Sequence, residues 1–141
     1  MEQAFTAARQ PGADPATALV RMTLALCAVG DRYRMLITLA RRDLGDESIR
    51  AALAPAHAEA ISILERGQRE GVFADHLPVA VLSRALESFT LTLVENQDPA
   101  TWNDPTGEAT ATAALVAAGL TPDVARARVQ AALDAAAVTA R

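Results

Sequence analysis

Few residues in this sequence have the type and spacing to support chemistry, and they fall on separate stretches. His57 and His76 are far apart, and neither has a thiol or carboxylate at metal-ligand spacing, so no metal site is expected. Cys27, the only cysteine, excludes an internal disulfide and fits a reducing compartment. With no cation beside it in sequence to favour the thiolate, it is expected to be buried and inert rather than a redox sensor. No nucleophile elbow, no phosphate-cradling glycine loop and no histidine paired with a carboxylate on one helix face is visible. A binding protein without catalytic residues or cofactor is therefore expected, rather than an enzyme.

His57 stands within an apolar stripe of Ile49, Leu53, Ala60, Ile61 and Leu64, beside Pro55, which should kink or break its helix and leave space there. In such a space an imidazole offers an oriented hydrogen bond to a bound molecule; the competing reading is a core histidine satisfied by a carbonyl or water. Tyr33 continues the stripe of Met22, Leu26 and Val29, so its hydroxyl can face the same cavity or a neighbouring helix. Met22 and Met35 suit walls that accept varied ligands, or plain core. With Leu26, Ile61, Leu64 and Phe89 these residues make the candidate ligand-binding set. Arg32, Arg34, Arg41 and Arg42, set against Asp31 and Asp43, read as a solvated face with local ion pairs, or alternatively as a contact for an anionic effector or for a separate domain.

The elements that must position these residues are helices. Alanine and leucine dominate, and apolar positions recur at three and four throughout, so the fold class is all-α, a helical bundle over a single domain, residues 1–141. Breaks fall at Asp14-Pro15, Asp104-Pro105 and Thr121-Pro122, each a capping residue before a proline at the first helical position, and at Gly45-Asp46. These predict a short leading piece at 2–9 and helices near 15–30, 31–43, 46–71, 78–97, 105–119 and 122–138. The helix at 15–30 is apolar nearly all round and belongs in the middle of the bundle.

Two helices show two apolar faces. On 78–97, Val79, Leu82, Leu86, Phe89 and Leu93 form a bulky face, and Val81, Ala85, Ser88 and Thr92 a small one. On 105–119, Ala109, Ala113, Val116 and Leu120 oppose Ala111, Ala114, Leu115 and Ala118. A two-fold homodimer through Val81, Ala85, Ser88, Thr92, Ala111, Ala114, Leu115 and Ala118 is expected, packed as a four-helix bundle.

The net charge is −4 and all 13 cations are arginines, which gives non-specific nucleic-acid binding little to work with, so this chain alone is not expected to bind DNA. The longest mostly apolar run, Met22 to Gly30, is far short of the ~20 residues that span a bilayer. The first residues, MEQAFTAARQ, do not fit a secretory signal, and a cytoplasmic location is expected.

The stretch LERGQREGVFADHLPV (64–79) resembles the corner between the pocket helix and the first dimerisation helix in the C-terminal domains of tetracycline-repressor (TetR) family regulators, where a helix ends in R-G-Q-x-x-G-x-F before L-P and a second helix. GDRYRMLITLARRDLGDESIRAALAPAH (30–57) is similar to the family's middle helices, and GEATATAALVAAGL (107–120) to the helix that usually ends the fold. The resemblance implies a small-molecule effector bound between the middle helices, dimerisation through 78–97 and 105–119, and transcriptional repression in which effector binding changes the separation of two DNA-binding units. No stretch matches the family's helix-turn-helix, so DNA contact is expected only through a separate unit, and a stand-alone small-molecule-binding protein is the alternative. His76 stands where the family commonly has an acid, leaving Asp75 as the expected cap, and the tail from Thr121 extends past the usual end of the fold. At the corner, Gly67 and Gly71 are both expected to adopt positive φ while Phe73 folds back into the bundle.

Overall fold

The computed structural model describes residues 13–52 and 54–140; the leading piece expected at 2–9 lies outside the described residues, as do many side chains between 31 and 52. The architecture is all-α. Its helices are α1 (Pro15–Ala52), α2 (Ala54–Arg69), α3 (Val79–Glu95), α4 (Glu108–Ala118) and α5 (Pro122–Thr139). Between α3 and α4 the chain makes only an isolated antiparallel bridge, Asp98 with Trp102. No helix among the described residues is long and apolar enough to cross a membrane.

Asp14 starts α1 as its spacing from Pro15 predicts: its carboxylate accepts from the Thr17 N–H at 3.0 Å and the Thr17 hydroxyl at 2.8 Å. Arg128 of α5 reaches the same carboxylate at 3.1 Å, joining the first helix to the last. Partial burial pushes the Asp14 carboxyl up, but the Thr17 bonds and Arg128 outweigh it and hold the group below its ordinary value.

The helical run of α1 cannot be straight. At ~1.5 Å per residue, Ala52 would stand about 39 Å beyond Leu26. Yet His57 lines the same cleft as Leu26. The run therefore doubles back, and Gly45, at φ +79, is a left-handed residue within it; the separate helices expected at 15–30, 31–43 and 46–71 are instead one helical run to Ala52 and a second from Ala54. Pro55 falls in the first turn of α2, the part of a helix that tolerates proline.

The corner after α2 assigns each residue of R-G-Q-x-x-G-x-F a task. Gly71, at φ +75, ends the helix: the Val72 N–H donates to the Gly67 carbonyl at 2.8 Å and the Gly71 N–H to that of Gln68 at 3.2 Å, the paired bonds of a Schellman cap. Gly67 does not have positive φ, contrary to expectation. It is glycine because the Phe73 ring lies against it, and a Cβ there would stand 2.0 Å from Phe73 Cδ2. The Gln68 amide donates to the carbonyls of Ala74 and Leu77, both at 3.1 Å, and the Arg66 guanidinium to that of Ala13. Asp75 does not cap α3, whose N-cap is Pro78 without a side-chain bond.

At α4, Asp104 caps from further back than Asp104-Pro105 predicts. The helix begins at Glu108 after Gly107 at φ +80, and the buried Asp104 carboxylate accepts from the Ala109 and Thr110 N–H groups and the Thr110 hydroxyl. At α5, Thr121 accepts from the Val124 N–H and Pro122 takes the first turn, as expected.

All five helices feed one core, with Leu19 and Val20 of α1, Leu64 of α2, Leu82 of α3, Leu115 of α4 and Val129 of α5 each 4% exposed or less. This packing corrects the expected interface. Ala111, Ala114, Leu115 and Ala118 are inside a single chain, because Ala125, Val129 and Ala132 of the tail helix join them in the core. They have no free surface to offer a partner. The opposite side of α4, with Val116 39% exposed, is the outer one.

On α3 the buried residues are Leu82, Ser83, Leu86, Thr90, Leu91 and Val94, while Val81, Ala85, Ser88 and Thr92 face solvent. Phe89, expected in the bulky inner face, is 38% exposed beside them. The inward face is turned by roughly a quarter of a turn from the apolar pattern, at ~100° per residue, because it includes Ser83 and Thr90.

Candidate ligand-binding cleft

Three helices border a cleft of about 60 Å³. The first part of α1 contributes Leu19, Met22, Thr23 and Leu26; α2 contributes Ala56, His57, Ala60 and Leu64; α3 contributes Ser83, Leu86, Glu87 and Thr90. On each helix these recur at three and four, so each presents one face. The lining is mostly apolar with a few polar groups, the usual make-up of a small-molecule site.

Three of the polar groups meet across α2 and α3. His57 Nδ1 lies 3.2 Å from Glu87 Oε2 and 3.4 Å from Ser83 Oγ. An ionised carboxylate only accepts, so Nδ1 carries the proton and donates to Glu87. In the neutral ring, Nε2 then presents a lone pair. The trio cannot work as a serine-histidine-acid relay, which needs acid and hydroxyl on opposite ring nitrogens, whereas here both lie at Nδ1. A second, more polar cleft adjoins the first, sharing His57 and Glu87 and adding Ala54, Arg84 and Ser88.

Of the candidate ligand-binding residues, Met22, Leu26, His57 and Leu64 come together on the cleft wall. Ile61 does not: the α2 wall follows the row Ala56, Ala60, Leu64 with His57, and Ile61 is half-buried off that wall. Phe89 does not either, because the α3 wall follows Ser83, Leu86 and Thr90 and leaves Phe89 toward the outer face. The side chains of Tyr33 and Met35 lie outside the described residues, as do those of Arg32, Arg34 and Arg41. Sequence reasoning missed Glu87 and Ser83, which meet His57 across helices rather than along one. The available signal was the run Ser83, Glu87, Thr90 at helical spacing in an otherwise apolar helix.

The other residue with reactive chemistry, Cys27, is 6% exposed. Burial pushes its thiol up to about 11; the Asp104 carboxylate adds to this and a Thr110 hydrogen bond opposes it. A disulfide reagent at pH 8 is expected to label the folded chain roughly a hundred times more slowly than the urea-unfolded chain, following the thiolate fraction. Equal rates would show that the site is open. Among the described residues no group of histidine, cysteine and carboxylate side chains is arranged to hold a metal ion.

No protein-family model, no curated protein and no solved structure matches the chain.

Proposed function

We propose that the chain is the effector-binding and dimerisation domain of a TetR-type transcriptional repressor, acting in the cytoplasm, with an apolar or amphipathic small molecule as effector. The observation that carries the reading is the cleft: apolar walls from α1, α2 and α3, with His57, Ser83 and Glu87 meeting across α2 and α3. The family resemblance of 64–79 supplies the regulatory part.

Regulation requires that the effector bind one of two arrangements better than the other. Arg66, at the end of the pocket helix, holds the carbonyl of Ala13 just ahead of α1. A ligand that shifts α2 therefore also moves the chain at the start of α1. Dimerisation, in this reading, uses the outer face of α3, where Val81 is 50% and Phe89 38% exposed beside Ala85, Ser88 and Thr92.

A thermal-shift screen of uncharged apolar and amphipathic compounds tests the cleft. A compound at 100 times its dissociation constant should add about 2.7 kcal/mol of stability if it binds only the folded chain. Ala60→Phe, which fills the space between α1 and α2, is expected to abolish the shift. His57→Leu is expected to weaken polar compounds by about 1 kcal/mol and leave the fold intact. The reading fails if no compound stabilises the protein, or if the hits stabilise Ala60→Phe equally.

A further inference from the structure

His57 and Glu87, paired at 3.2 Å, line both clefts, so the two clefts meet at this pair. They differ in character. The first, about 60 Å³, is walled by Leu19, Met22, Leu26, Leu64 and Leu86. The second, about 200 Å³, is lined by Ala54, His57, Arg84, Glu87 and Ser88, of which only Ala54 is apolar. An apolar cavity of about 150 Å³ holds a benzene ring, so the first cleft, at about 60 Å³, has room for a short alkyl chain.

Arg84 is the cation of the second cleft, and its exposed guanidinium makes no ion pair or hydrogen bond among the described residues. Glu87, three residues on along the same helix and so within reach of it, turns to His57 instead. Beside Arg84 the Ser88 hydroxyl is a further donor on the same wall.

We propose that the two clefts form one site for a short-chain aliphatic carboxylate, with the alkyl chain in the apolar cleft and the carboxylate on Arg84. This rests on the reading of the apolar cleft as a ligand site and names the ligand class. A guanidinium presents paired donors that match a carboxylate, which a neutral head uses less well.

Glu87 sets the condition for accepting an anion. With His57 neutral, Glu87 and Arg84 cancel, and among the described residues α1 lines the clefts with no titratable side chain. With a proton taken up at Nε2, the His57–Glu87 pair is neutral and Arg84 is left as one net positive charge, which matches one carboxylate. Binding of the anion therefore takes up a proton at His57, and affinity rises as pH falls through the range in which histidine charges.

Pentanoate, pentanamide and pentylammonium share a tail and differ in the head. Titrated into the protein with binding followed by NMR, pentanoate is expected to bind at pH 6 about tenfold more tightly than the amide, and more tightly still than the ammonium. Between pH 6 and pH 8 it should lose about fivefold while the amide is unchanged. Arg84→Gln should remove the preference for pentanoate without weakening the amide, and His57→Gln should abolish the pH dependence. Ala60→Phe should abolish binding of both, because the tail then has no place. An amide that binds as tightly as pentanoate, a pentanoate affinity that ignores pH or Arg84, or pentanoate binding that survives Ala60→Phe overturns the inference; amide binding lost in Ala60→Phe still marks the apolar cleft as a ligand site. If none of the three binds, the cleft reading falls and takes this inference with it.

Discussion

Gly67→Ala is expected to lower the stability of the protein by about 3 kcal/mol, against the usual preference of helices for alanine over glycine by ~1 kcal/mol. The opposing term is steric. An added Cβ would stand 2.0 Å from Phe73 Cδ2, 2.4 Å from Cε2 and 2.9 Å from Cγ, so the clash reaches the base of the ring and no rotation about its last torsion relieves it. Nor can the backbone of Phe73 retreat freely, because its N–H donates to the Gly67 carbonyl at 3.1 Å and the next N–H, of Ala74, donates to the carbonyl of Ala118 at 3.0 Å. The ring itself is 3% exposed. Overpacking a buried site costs about 1–3 kcal/mol, and dislodging a buried phenylalanine about 3–5 kcal/mol. Gly71→Ala is the control: φ is +75 there but nothing lies within 4 Å of the new Cβ, so only the backbone cost of about 1 kcal/mol remains. Urea unfolding of the two variants decides the matter, and a Gly67→Ala loss no larger than that of Gly71→Ala would refute the close approach of Phe73.

That contrast bears on what the sequence made legible. R-G-Q-x-x-G-x-F marked the corner, and the Asp14-Pro15 and Thr121-Pro122 pairs marked helix starts, because capping and helix ending depend on residues within a turn or two of one another. The separate tasks of the two glycines were not legible, since one depends on φ and the other on where a ring six residues later comes to rest.

The inward face of α3 was misread for a related reason. Apolar periodicity assigned Phe89 inward and left Ser83 and Thr90 without a role, whereas Ser83 and Thr90 are buried and Phe89 is exposed. Polar residues at buried positions break the pattern where the helix borders a cleft, so the failure of the pattern coincides with the candidate site. His57 was found from its own stripe; Glu87, on another helix, was not, because only packing of α2 on α3 brings the two side chains together.

The two halves of the expected interface should respond to arginine in opposite ways. Ala85 is exposed on the outer face of α3, so Ala85→Arg should leave the melting transition nearly unchanged and, by setting like charges against each other across a two-fold axis, convert a dimer to a monomer. Ala114 is 1% exposed among Leu115, Ala118 and Val129. Ala114→Arg must bury a charge without a partner, at several kcal/mol, and force a long side chain into a filled core at about 1–3 kcal/mol more. Against a typical domain stability of about 5–15 kcal/mol, that total is enough to abolish cooperative folding. Sedimentation at micromolar concentration and a circular-dichroism melt separate the outcomes. A wild-type monomer, or an Ala85→Arg dimer, removes the outer face of α3 as the interface. A folded, monomeric Ala114→Arg would instead return the inner face of α4 to the interface, and would mean that the tail helix does not cover it in solution.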